Sequence, residues 1–208
     1  MMNPNFPETI LIATGNTGKL RELAEIFRTV PVEWTSLDDF PNADEVEETG
    51  ATFEENARLK AAGYALRTGL WTLADDSGLE VEALGGAPGV VSARYGGSET
   101  SFPEKIRLLL NEVERSGSAS RTARFVCSMA VSDSRGHILF AAEGECRGTL
   151  ADEPRGERGF GYDPIFVPEG HRMTFGELPD ETKRAISHRR RAADKIIRYL
   201  LGFTGVPT

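Results

Sequence analysis

Short apolar runs alternate along the chain with longer segments whose apolar residues recur every three or four positions. Thr9-Ile10-Leu11-Ile12-Ala13, apolar from Ile10 onward, has the pattern of a buried strand. From Lys19 to Val30 the apolar positions are Leu20, Leu23, Ala24, Phe27 and Val30, which is helical spacing. Thr52-Phe53-Glu54-Glu55 has the capping-box pattern and opens a second helix through Ala57, Ala61, Tyr64 and Ala65. A strand from Trp71 to Ala74 then delivers two acids, Asp75 and Asp76. Leu79 to Leu84 sets Leu79, Val81 and Ala83 against Glu80 and Glu82, the alternation of a half-exposed strand. Ser101-Phe102-Pro103-Glu104 starts a third helix. Thr122 to Ser132 and His137 to Cys146 flank the turn Asp133-Ser134-Arg135-Gly136 and predict a long hairpin. Asp180 to Leu200 is mostly helical, with Ile186, Ala193, Ile197 and Leu200 in one stripe. Helices interleaved with strands, one pair of them a hairpin, predict an α/β fold with a mixed sheet.

Composition narrows the architecture. At 208 residues and 39% hydrophobic, the chain supports one sizeable core and is long for one minimal domain, so a single bilobal domain over residues 1–208 is expected. No linker, low-complexity tract or solenoid repeat interrupts it. The opening MMNPNFPET lacks the apolar centre of a signal peptide, and no run of about 18 apolar residues occurs, so the expected location is cytoplasmic with no membrane partner. Two cysteines, Cys127 and Cys146, fit that compartment as buried thiols. The net charge of −8 argues against a nucleic acid polymer as partner, and any anionic ligand must be met by local basic groups.

Four stretches carry candidate chemistry. Thr14-Gly15-Asn16-Thr17-Gly18-Lys19 joins a strand to a helix, so its backbone N–H groups can converge on an anion while Lys19 adds charge. It is not a Walker A loop, which needs four residues between the first glycine and the Gly-Lys pair. A tight turn with a solvated lysine accounts for it equally well. Asp75 and Asp76 stand at the predicted carboxyl end of a strand, where open α/β sheets bind ligands, and consecutive strand side chains point to opposite faces. Two adjacent carboxylates need compensating donors or a hard cation, Mg2+ or Mn2+. An Asx turn through Asp-Ser-Gly is the simpler explanation of those residues taken alone. Phe160 and Tyr162, in Gly159-Phe160-Gly161-Tyr162-Asp163-Pro164, have the spacing of a base-stacking face or of two core aromatics. Lys183 to Arg191 is the most basic run, a phosphate or base contact or a solvated face; a helix restart at Ser187 would change which side chains it turns outward. Asn56 and Lys60 lie four apart on one face of the second helix.

Together TGNTGK at 14–19, EETGATFEENARLKA at 47–61, ADDSGLEVEALGGAPGVVSARYGG at 74–97, GFGYDPIF at 159–166 and KRAISHR at 183–189 resemble the noncanonical purine nucleoside triphosphate pyrophosphatases, also called inosine/xanthosine triphosphate pyrophosphatases. The motifs span nearly the whole chain in order. The resemblance implies a homodimer with an elongated mixed sheet flanked by helices, in two lobes around a nucleotide cleft. It implies Mg2+-dependent hydrolysis of a purine nucleoside triphosphate to the monophosphate and pyrophosphate, with Mn2+ as a substitute. Carried over by motif, Thr14, Gly15, Asn16, Thr17, Gly18 and Lys19 hold the triphosphate. Glu48 and Asp76 bind metal, and Asp76 is also the proton acceptor, with Lys60 beside it on the leaving phosphates. Ser77, Phe160, Gly161, Tyr162, Asp163, Lys183, His188 and Arg189 contact the nucleotide, His188 and Arg189 as donors to the 6-oxygen of the base.

Overall fold

The computed structural model describes residues 6–204. Among them six strands form one sheet in the order β2-β1-β3-β4-β5-β6. The strands are β1 (Thr9–Ala13), β2 (Glu33–Ser36), β3 (Trp71–Val81), β4 (Thr122–Ser132), β5 (Ile138–Leu150) and β6 (Phe166–Pro168). β1 runs parallel to β2 and β3, and β6 is antiparallel to β5, so the sheet is mixed. The helices are α1 (Thr17–Phe27), α2 (Phe53–Thr68), α3 (Phe102–Arg115), α4 (Asp180–Ile186) and α5 (His188–Leu201). Among the described residues no helix is long and apolar enough to cross a membrane.

The chain divides into two compact units. Among the described residues the first comprises 6–76, 127–144 and 189–204, the second 77–126 and 145–188, so β3, β4 and β5 each pass from one unit to the other. In the first unit the sheet is covered on both faces. Ile10, Ile12 and Leu73 pack with Leu23, Ile26 and Phe27 of α1 and Ala193, Ile196 and Leu200 of α5. Leu11, Ala13 and Ala74 pack on the other side with Ala57, Ala61 and Tyr64 of α2. Burial on both faces is why β1 reads as apolar from Ile10 onward. In the second unit one core joins Leu79 and Val81 of β3 to Ile106, Leu109 and Val113 of α3 and to Phe125, Phe166 and Phe175. Glu80, Arg124, Glu145 and Arg147 there form an exposed ladder of ion pairs, with Arg124 2.7 Å from Glu80 and 2.8 Å from Glu145.

Local signals set several boundaries. Thr52 Oγ1 accepts from the Glu55 N–H at 3.1 Å, and the Glu55 carboxylate accepts from the Thr52 N–H at 3.2 Å, closing the capping box of α2. Gly69, with φ of 71°, ends that helix in the left-handed conformation. Both cysteines are buried and free.

Three expectations are corrected. The acid pair lies inside one eleven-residue strand, β3, and not at a strand's carboxyl end or in an Asx turn. The strand expected over Leu79 to Leu84 is the continuation of β3 to Val81, followed by a 3-10 turn. α1 stops at Phe27, and Val30 is buried in the turn that follows. The helix restart weighed at Ser187 is present: that residue takes extended backbone angles (φ −65°, ψ 154°), and the last helical segment is two helices.

Candidate active site

Strand register places the acid pair beside the glycine loop. β1 pairs with β3 through Ala13 opposite Ala74, so the chain leaves β1 at the level where β3 reaches Asp75 and Asp76. The glycine loop therefore turns into α1 beside the acids. Asn16 caps that helix, its Oδ1 accepting from the Lys19 N–H at 3.0 Å while its own N–H donates to Thr14 Oγ1 at 3.2 Å. Gly15, Asn16 and Thr17 are exposed; Thr14, Gly18 and Lys19 are half-buried.

Consecutive residues of a strand face opposite sides, and the two acids obey this. Asp75 points toward α1 and α5. Its Oδ2 lies 3.1 Å from Lys19 Nζ, 3.6 Å from Arg189 Nε and 3.9 Å from Cys127 Sγ. Arg189, itself buried, also places Nη1 2.5 Å from Glu22 Oε2. Burial pushes the Asp75 carboxyl up, but Lys19, Arg189 and Lys60 outweigh it and hold the group well below its ordinary 3.8. Burial, and then the same anion, push the Cys127 thiol up.

Asp76 points toward α2. Its Oδ2 accepts from Asn56 Nδ2 at 3.1 Å, and its Oδ1 is 3.6 Å from Lys60 Nζ. Lys60 Nζ is in turn 2.7 Å from Glu48 Oε1. Asn56 and Lys60, one turn apart on α2, are thus both buried against the acid and not solvated. Burial raises the Asp76 carboxyl; Lys60 and Lys19 oppose the rise, Glu48 adds to it, and the net direction is upward. For Lys60 burial works against the ammonium, but Asp76, Asp75 and Glu48 outweigh it and leave the group above its ordinary value.

Glu48 and Asp76 share the Lys60 ammonium and are the oxygen donors that could hold a hard cation; among the described residues no group of three or more His, Cys, Asp or Glu side chains is arranged to hold a metal ion. Magnesium is commonly held this way, by one or two carboxylates with water and substrate phosphates completing the shell.

The second unit carries the other candidates. Ser77 is half-buried on β3. Gly159 and Gly161 have φ of 74° and 66°, so the aromatics between and after them sit on a loop and not on a strand. A Cβ on Gly159 would collide with the Asp163 carboxylate. Asp163 Oδ2 accepts from the Phe160 N–H at 2.7 Å and from Lys183 Nζ at 2.6 Å, and that ammonium lies 4.7 Å from the Phe160 ring centre. Tyr162 is a core residue, edge-on to Phe102 and donating from Oη to the Ser92 carbonyl at 3.0 Å. Phe160 is half-buried. His188 stacks on Phe125 at 4.8 Å and 12°. A groove of about 850 Å³ along α3, lined by Ile106, Leu110, Arg121 and Pro154, contains none of these residues.

Two participants escaped the sequence reading. Glu22 shares Arg189 with Asp75; its spacing of three from Lys19 on α1 is the signal that points to it. Cys127 borders Asp75 through strand pairing alone, which no local pattern encodes.

Fold and cluster together define an α/β protein whose central strand carries a buried acid pair, matched by lysines from a glycine loop and a helix. The chain belongs to the Ham1 family, whose model matches residues 10–199. It is 48% identical over 197 residues to a dITP/XTP pyrophosphatase of Geobacter sulfurreducens, covering 95% of this chain and 98% of that one. A dITP/XTP pyrophosphatase of Bacillus anthracis is 45% identical over 198 residues, covering 93% and 98%. The solved structure of a HAM1 protein from Coxiella burnetii superposes with a TM-score of 0.87 at 39% identity, covering 94% of this chain and all of that one.

Proposed function

We propose that this protein is a nucleoside triphosphate pyrophosphatase that hydrolyses deaminated purine nucleotides, ITP, dITP and XTP, to the monophosphate and pyrophosphate, cleansing the nucleotide pool. The observation that carries this reading is the convergence of Glu48, Asn56 and Lys60 on Asp76, in a chain whose relatives bear the name dITP/XTP pyrophosphatase.

The residues divide the work. Asp76, buried and raised above its ordinary value, takes the proton of the water that attacks the α-phosphorus. Lys60, which keeps its proton, neutralises the departing pyrophosphate. Thr14 to Lys19 hold the outer phosphates with the N–H groups at the start of α1, where the helix dipole favours an anion. Glu48 and Asp76 hold Mg2+, for which Mn2+ substitutes; when bound, it neutralises the phosphate chain and polarises the bond that breaks. Phe160, Lys183 and His188, with Ser77 and the Gly161 to Asp163 loop, contact the nucleotide. Hypoxanthine and xanthine present an oxygen at position 6, which accepts from a protein donor. Adenine presents an amino group there, a donor facing a donor, and an unpaired buried polar group discriminates strongly. The same reading makes the protein a cytoplasmic homodimer acting on free nucleotides, and sedimentation should give twice the 22.7 kDa chain mass.

A panel of nucleoside triphosphates with Mg2+, scored for pyrophosphate against orthophosphate, tests the assignment. Pyrophosphate and a monophosphate are expected as first products, from ITP and XTP far faster than from ATP. Orthophosphate and a diphosphate as first products would overturn it.

A further inference from the structure

Asn56 is buried on α2 and uses both ends of its amide. The Nδ2 donates to Asp76 Oδ2 at 3.1 Å, and the Oδ1 accepts from the Gly50 N–H at 2.7 Å. Gly50 is two residues beyond Glu48, in a segment that has no strand or helix of its own. That segment is pinned to the start of α2 at three successive amides: Gly50 to Asn56, then Ala51 and Thr52 to the Glu55 carboxylate at 2.7 and 3.2 Å. There is no slack at Gly50, since a Cβ there would stand 2.7 Å from Asn56 Oδ1.

The geometry points to Asn56 as the positioning residue that fixes Asp76 and the Glu48 segment relative to each other, so that the two carboxylates meet about one cation. This rests on the reading of Glu48 and Asp76 as the metal ligands. Asp76 has two oxygens and a rotatable carboxyl plane. With Asn56 Nδ2 on Oδ2 and Lys60 near Oδ1, the plane has one preferred setting. An outer partner of this kind typically accounts for about 10-fold to 100-fold in metal affinity or activity. Asn56 touches neither the water nor the phosphates in this account; it acts through the carboxylate it holds.

Asn56→Leu, close in volume, removes both bonds, and Asn56→Asp keeps an acceptor for Gly50 while turning a carboxylate on Asp76. Both should lower kcat for ITP by about 10-fold to 100-fold, with KM changed less than about threefold, because the groups that bind the nucleotide are untouched. Mn2+ binding to the nucleotide-free protein, followed by electron paramagnetic resonance, should weaken about 10-fold or more in Asn56→Leu. A structural role alone would lower the melting temperature and leave the kcat and KM split and the Mn2+ affinity of the folded protein unmoved; that result would overturn the proposal. Should Asn56→Leu not fold, wild-type kcat in Asn56→Asp would overturn it equally. A wild type that binds Mn2+ but turns over no triphosphate would refute the proposed activity and leave the Asn56 comparison readable.

Discussion

Lys60 Nζ stands 2.7 Å from Glu48 Oε1 and joins a residue on α2 to one in the irregular segment that leads into that helix. The same ammonium reaches toward Asp76, so a helix residue, a loop residue and a strand residue share one charge centre. If Glu48 is a metal ligand, its carboxylate is needed for cation affinity more than for the fold, because its side chain is 29% exposed. Glu48→Gln should raise the Mg2+ concentration for half-maximal rate by about 10-fold or more, while thermal unfolding shifts little. A Mg2+ titration of initial rates in both proteins checks this.

The two acids should separate stability from chemistry. Asp76→Asn should nearly abolish turnover with the fold intact, because an amide accepts no proton and binds Mg2+ weakly. Asp75→Asn should slow turnover about 10-fold to 100-fold and also destabilise the protein by about 3–5 kcal/mol, since Lys19 and Arg189 lose a buried counter-charge. Urea unfolding of both variants beside ITP hydrolysis distinguishes the two; a fully active, folded Asp76→Asn protein would sink the assignment of the base.

The Asp75 contribution carries a pH signature. Its folded value is depressed below the ordinary 3.8, so the unfolded chain binds more protons as the pH falls through that range. Its stabilisation is therefore fully present above about pH 4 to 5 and is lost as pH falls toward the depressed folded value. The stability gap between wild type and Asp75→Asn should be widest near neutrality and narrow below pH 3.8, which denaturant curves at several pH values will show.

Arg189 and His188 are neighbours with different expected roles. Arg189 is buried in pairs with Asp75 and Glu22, while its motif position implies a contact with the nucleotide. Arg189→Met should cost about 3–5 kcal/mol by stranding those carboxylates, and the ratio of kcat/KM for ITP over ATP should stay near the wild-type value. His188→Phe, which keeps the stack on Phe125 but removes the ring nitrogens, should narrow that ratio by at least about 10-fold. Steady-state kinetics with both nucleotides decide between these roles.

Neither cysteine should react with Ellman's reagent until the protein unfolds. Cys127 is fully buried, with burial and Asp75 raising its thiol, and Cys146 is 3% exposed. Rapid labelling of one thiol per native chain would contradict this packing.

Much of this architecture is written in local pattern. The apolar run of β1, the capping box at Thr52 and the hairpin about Gly136 depend on near neighbours in the chain, so backbone sterics and side-chain spacing suffice to predict them. The motif order likewise identified the family. Opposite facing of Asp75 and Asp76 follows from strand geometry alone. What local pattern left open was whether those residues form a strand at all, because Asp-Asp-Ser-Gly on its own favours a turn. Two charges can lie inside β3 only because distant segments supply cations and a donor: Lys19 and Arg189 to Asp75, Lys60 and Asn56 to Asp76. Those partners are brought together by parallel register and by helices packed on both faces of the sheet. Such long-range compensation leaves no periodic trace, and tertiary structure alone decided that Asp75 meets Lys19 and Arg189 while Asp76 meets Asn56 and Lys60.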